Sequence, residues 1–71
     1  MPKFPGPSGA DIIKALEKLG FAVIRQSGSH VVMKRNGHGC VVPNHKEVKV
    51  GTVNGLLRQA GVNAKEFESA L

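Results

Sequence analysis

Three histidines, one cysteine and a cluster of cations are the side chains of this 71-residue chain best equipped for chemistry. His30 has the most unusual setting. It heads the apolar run His30-Val31-Val32-Met33, directly after Ser27-Gly28-Ser29, and the run ends in Lys34-Arg35. Side chains alternate across a strand, which separates Val31, Met33 and Arg35 from His30, Val32 and Lys34. The first set is the more apolar near the turn and is expected to face the interior. That leaves His30 and Lys34 on an open face. An imidazole beside cations can move protons near neutral pH. Cleaving RNA through its own 2′-hydroxyl needs such a base, an acid for the leaving oxygen, and cations to stabilise the phosphorane. Lys34, Lys46 and the backbone N–H groups of the Gly28 turn are candidates to hold the phosphate. On the residues alone, a strand-end histidine without a catalytic role remains the default.

The remaining candidates carry less. His45 follows Pro43-Asn44 and is a possible acid or RNA contact, although such a histidine more often caps a turn. His38, just past Asn36-Gly37, reads as a solvated residue of a hairpin tip. His30, His38, Cys40 and His45 are all metal-ligand types, but their spacing matches no paired hook, so no metal or other cofactor is expected. Cys40 lacks an evident base to make it a nucleophile and reads as a buried or edge residue. Arg35, by its charge, is a further candidate phosphate contact, and so are Lys49 and Arg58, with a solvated face as the alternative for the last two.

Charge narrows the partner. Between residues 25 and 58 six cations (Arg25, Lys34, Arg35, Lys46, Lys49 and Arg58) stand against Glu47 alone. Elsewhere Lys3, Lys14, Lys18 and Lys65 balance Asp11, Glu17, Glu66 and Glu68, so the whole net charge of +5 lies in the middle of the chain. A polyanion such as nucleic acid is the natural partner, and an acidic protein the next. A chain this short buries only about 60% of its unfolded surface. That argues against a deep cofactor pocket and for a shallow site on a large ligand. No apolar stretch reaches membrane-spanning length. A lone cysteine cannot form an internal disulfide and points to the reducing cytoplasm. The absence of Trp and Tyr removes the usual stacking platforms of single-strand RNA binders.

These groups must be held by a small set of elements. Residues 1–7, rich in Pro and Gly, read as a flexible leader, and residues 8–71 as one domain. Ser8 and Asp11 have capping-box spacing. They open a helix whose Ile12, Leu16 and Leu19 share one face, and Gly20 is placed to end it in a left-handed cap. Two β-branched segments, FAVIRQ and HVVMKR, flank Ser27-Gly28-Ser29 as a hairpin. Asn36-Gly37 makes a second tight turn into GCVVP, which Pro43 ends. After a loop, Val53, Leu56, Leu57 and Ala60 mark a second helix, with Gly51 or Thr52 as cap and Gly61 as stop. Asn63 and Glu66 open a short terminal helix. The order is α-β-β-β-α plus a helical turn: an α+β fold, a three-stranded antiparallel meander with its helices on one face.

Four of these segments together resemble the HicA family of toxin ribonucleases. They are Leu16-Glu17-Lys18-Leu19-Gly20-Phe21, then Gly28-Ser29-His30, then Val42-Pro43-Asn44-His45, then Gly51-Thr52 through Gly61, and the likeness runs over about residues 8 to 67. The resemblance implies a double-stranded-RNA-binding-domain-like fold and metal-independent cleavage of messenger RNA. It also implies a HicB-like antitoxin that covers the active face. The family's catalytic histidine carries over to His30, with Gly28 and Ser29 shaping its turn. The family often has a second histidine and an aromatic residue after the first histidine, where this chain has Val31 and Met33. Two rivals stand beside the nuclease. One is a non-catalytic module that binds double-stranded RNA; the other is an interaction module whose basic face takes only an acidic protein.

Overall fold

The computed structural model describes residues 7–71. The expected leader therefore lies outside the described residues except for Pro7, whose carbonyl accepts a 2.9 Å hydrogen bond from the Val48 N–H. The elements follow the expected order: α1 (Gly9–Lys18), β1 (Ala22–Ser27), β2 (His30–Arg35), β3 (His38–Pro43), α2 (Val50–Ala60) and α3 (Ala64–Ala70). The strands form one antiparallel sheet in the order β1-β2-β3.

Local chemistry sets the ends of the elements. The Asp11 N–H donates to Ser8 Oγ at 3.0 Å, and the Ser8 N–H donates back to the Asp11 carboxylate, which completes the capping box of α1. At its far end Gly20 takes φ +100°, the Phe21 N–H donates to the Leu16 carbonyl, and the Gly20 N–H donates to that of Glu17. This is the Schellman pattern, which turns the chain from helix into strand. The two hairpin loops differ. In Gly28-Ser29 only the first residue has positive φ, as a type II′ turn requires. In Asn36-Gly37 both residues do, at 48° and 85°, as type I′ requires. Both turns match the right-handed twist of the strands they join.

α2 departs from its expected start. Its N-cap is Lys49, which makes no side-chain capping bond, and Gly51 and Thr52 fall inside the first turn. Val48, only 3% exposed, anchors the chain just before the helix, so burial rather than a capping side chain sets the entry. The stop is as expected: Gly61 is left-handed at φ +72°, and the Val62 N–H closes on the Leu57 carbonyl. Asn63 Oδ1 accepts from the Glu66 N–H at 2.7 Å and caps α3.

The core lies between one face of the sheet and the helices. Val31, Met33, Cys40 and Val42 project from β2 and β3 into it. They meet Ile12, Ala15 and Leu16 of α1, Val53, Leu56, Leu57 and Ala60 of α2, and Phe67 and Ala70 of α3. All six residues of β1 are exposed. No helix of the described residues is long and apolar enough to cross a membrane.

Candidate active site on the open sheet face

Register decides which side chains share the surface opposite the helices. His30 pairs with Ser27 on β1 and Pro43 on β3, Val32 with Arg25 and Val41, and Lys34 with Ala22 and Gly39. Directly opposed residues of an antiparallel pair project to the same side. The open face therefore carries His30, Val32 and Lys34 along β2, Ser27 and Arg25 on β1, and Pro43 and Val41 on β3. Val31 and Met33, at 3% and 0% exposure, point the other way, as their apolar character predicts.

His30 is the first residue of β2 and is exposed. Its backbone is fixed by the tight turn on one side and the β3 ladder on the other. That ladder runs one residue past the strand, since the Asn44 N–H donates to the Ser29 carbonyl at 2.7 Å. The chain then bends. The His45 N–H donates to the Pro43 carbonyl at 2.9 Å, and the His45 carbonyl accepts from the Gly9 N–H at 2.8 Å. His45 is thus held at the same end of the sheet as His30, with an exposed side chain. Gly9 makes the close approach feasible. A Cβ there would run into the backbone of Pro43, Asn44 and His45, so α1 begins directly against the segment that carries His45.

The expected phosphate contacts separate into groups. Lys34 shares the face of His30 and lies across β3, its Cγ 3.2 Å from where a Cβ on Gly39 would stand. Glycine at 39 leaves room for that stem. Lys46 and Lys49 are exposed in the connection between β3 and α2. Arg58 is exposed on α2, in the layer on the other side of the sheet. Arg35 also projects to the helix side. Its Nη1 donates to the Leu19 carbonyl at 2.8 Å, and its guanidinium sits 4.7 Å from the centre of the Phe21 ring. The structure does not bring Arg35 together with His30. The guanidinium instead satisfies a carbonyl at the end of α1.

Arg25, from sequence only one of six mid-chain cations, stands directly across from Val32 on the open face. The signal for it was parity: Arg25 lies two residues before Ser27, and Ser27 and His30 face each other across a two-residue turn. Further down β1 the ladder shifts at a bulge between Val23 and Arg25, where no such counting works.

His38 is exposed, as expected, and directly follows the Asn36-Gly37 turn. It opens β3 opposite Arg35, and its ring packs against Gly61 at the end of α2, with Nδ1 3.3 Å from where a Cβ would stand. Cys40 is buried at 3% exposure, and burial pushes its thiol above the ordinary range, which keeps it protonated and unreactive. Among the described residues no three His, Cys, Asp or Glu side chains come together as metal ligands would.

The arrangement is an exposed imidazole at a rigid strand start, with a second imidazole at the same sheet end and cations along the same face. No curated protein matches the chain. A protein-family model described as the HicA toxin of bacterial toxin–antitoxin does match, over residues 9–62. That span runs from the first residue of α1 to just past the end of α2 and takes in all of the sheet. The chain belongs to the HicA family of bacterial toxin–antitoxin toxins.

Proposed function

We propose that this HicA toxin is a messenger RNA endoribonuclease, acting in the cytoplasm, with His30 as its general base. The observation that carries the reading is the position of His30, exposed at the head of β2 on the same face as Lys34. His30 takes the proton of the ribose 2′-hydroxyl as the 2′-oxygen bonds to the adjacent phosphorus. The bond from phosphorus to the 5′-oxygen breaks, and that oxygen takes up a proton from an acid. His45, fixed at the same end of the sheet, is the candidate for that acid or for an orienting group. The products are a 2′,3′-cyclic phosphate, or its hydrolysed form, and a 5′-hydroxyl.

Lys34 and Lys46 stabilise the charge that builds on the phosphoryl oxygens, and Lys49 extends the basic surface. The nucleophile comes from the substrate and the base from the protein, so no metal-bound water is called for. Gly28 and Ser29 hold His30 in place through their tight turn. The partner that neutralises the toxin is a HicB-like antitoxin, whose acidic surface covers this open, basic face.

The test incubates the purified chain and His30→Ala with mixed-sequence RNA in EDTA, with circular dichroism to verify folding. Wild type is expected to cut, leaving a 5′-hydroxyl on the downstream fragment, while the folded variant does not. A 5′-phosphate would mean attack by water and would remove His30 from the base role. If both bind RNA and neither cuts, the chain is a non-catalytic RNA-binding module.

A further inference from the structure

We propose that the open face around Val32 is a nucleotide-binding platform for unpaired RNA, with Arg25 as the cation that grips a phosphate beside the reacting bond. This deepens the nuclease reading above and rests on it. Val32 is the centre of the face, with Arg25 directly across on β1 and Val41 directly across on β3. His30 and Lys34 lie two residues to either side along β2, each about 7 Å away at the strand rise. Arg25 and His30 are thus diagonal neighbours, about 7–8 Å apart at the backbone, a gap that an arginine side chain spans.

Three properties make this set a binding surface rather than an ordinary strand exterior. Val41 is 43% exposed and Val32 half-buried, so two adjacent valines form an apolar spot that no helix of the described residues covers. Three titratable or cationic side chains, His30, Arg25 and Lys34, surround that spot. No described residue partners the Arg25 guanidinium, whereas that of Arg35 is engaged by Leu19 and Phe21. The two arginines divide the work: one holds the fold, and the other is free for a ligand.

The chemistry selects the substrate form. In-line attack needs the 2′-oxygen, the phosphorus and the leaving 5′-oxygen nearly collinear, which a stacked A-form strand does not provide. The nucleotide must turn out of its stack. The valine pair receives its apolar face, and the flanking cations hold the phosphates on either side. Arginine suits this position because its planar fork takes a phosphate through two hydrogen bonds and also lies flat against a base. Single-stranded RNA can adopt such a bend, and a paired strand resists it.

The experiment uses the full chain, a fluorescently labelled single-stranded RNA of mixed sequence, and the same RNA annealed to its complement. Arg25→Gln and Arg25→Lys are made in the active chain for cleavage and in His30→Ala for binding without turnover. Lys65→Gln on α3 is the charge control. Arg25→Gln is expected to lower single-strand cleavage at subsaturating RNA by about 10- to 100-fold, the scale of one lost charge-assisted contact. It should also reduce the slope of log affinity against log salt by about 0.7, one phosphate contact on a single strand. Arg25→Lys should restore the slope while recovering only part of the cleavage, because a point charge replaces a fork. Lys65→Gln should change neither.

If Arg25→Gln cuts and binds as the unsubstituted chain does, the platform is wrong while the His30 mechanism stands. Equal cleavage of single strand and duplex overturns the substrate assignment in the same way. If the unsubstituted chain cuts neither RNA, the nuclease reading falls and takes the platform with it.

Discussion

Two neighbouring cations on one strand have opposite fates, and the pleat is the reason. Lys34 projects to the open face and lies over Gly39, while Arg35 projects inward and closes the end of α1. Charge alone made both of them candidates for phosphate contact. Parity along β2 separates them, and the bond to Leu19 gives Arg35 a structural role. Arg35→Ala is expected to cost about 1–3 kcal/mol: a charge-assisted hydrogen bond to a half-buried carbonyl plus a cation–π contact. In a domain of this size each kcal/mol lowers the melting temperature by about 4–8 °C. Thermal unfolding followed by circular dichroism measures it. A melting temperature unchanged by the substitution would return Arg35 to the pool of solvated cations.

At the scale of elements, what could be read from sequence was whatever depends on residues close together in the chain. Ser8 with Asp11, Gly20, Asn36-Gly37 and Gly61 each act through bonds spanning a few residues, and each sits where its chemistry requires. The start of α2 was misplaced because Lys49 is no capping residue. The burial of Val48, which sets that start, depends on the assembled core. The contact of His38 with Gly61 was hidden for the same reason, since the two lie 23 residues apart in sequence. The open-face position of His30 was legible because a turn, an apolar run and alternation sufficed, whereas that of Arg25 needed the pairing of two strands. Two glycines test this picture in opposite directions. Gly55 lies mid-helix with nothing within 4 Å of a built Cβ, so Gly55→Ala should stabilise by about 0.5–1 kcal/mol. Gly28 has equal space but φ +58°, so Gly28→Ala should destabilise by about 1–2 kcal/mol through strain at the turn beside His30. Urea midpoints of the two variants should move in opposite senses; a shared sign would mean that space, not backbone angle, governs both sites.

At the scale of the whole molecule the sheet divides the chain into a side that holds the fold and a side that is open. The helix side contains the buried set, and it extends beyond the family match. α3 follows residue 62, yet its Phe67 and Ala70 are 4% and 8% exposed in the common core. The open side contributes His30, Arg25 and Lys34, all exposed, so their removal creates no cavity. Substitutions on the two sides should therefore fail differently. Phe67→Ala removes a buried aromatic ring and should cost about 3–5 kcal/mol, a large share of the 5–15 kcal/mol that holds a typical domain. Its melting temperature should drop by well over 10 °C. Any RNA cleavage that it retains should return toward the wild-type rate as the assay is cooled and the folded fraction recovers. His30→Ala should melt within a few degrees of wild type and recover no cleavage at any temperature. Measuring melting and cleavage for both variants separates chemistry from folding. If His30→Ala melted as low as Phe67→Ala, His30 would be part of what holds the sheet together, and its place at the strand head would need no catalytic explanation.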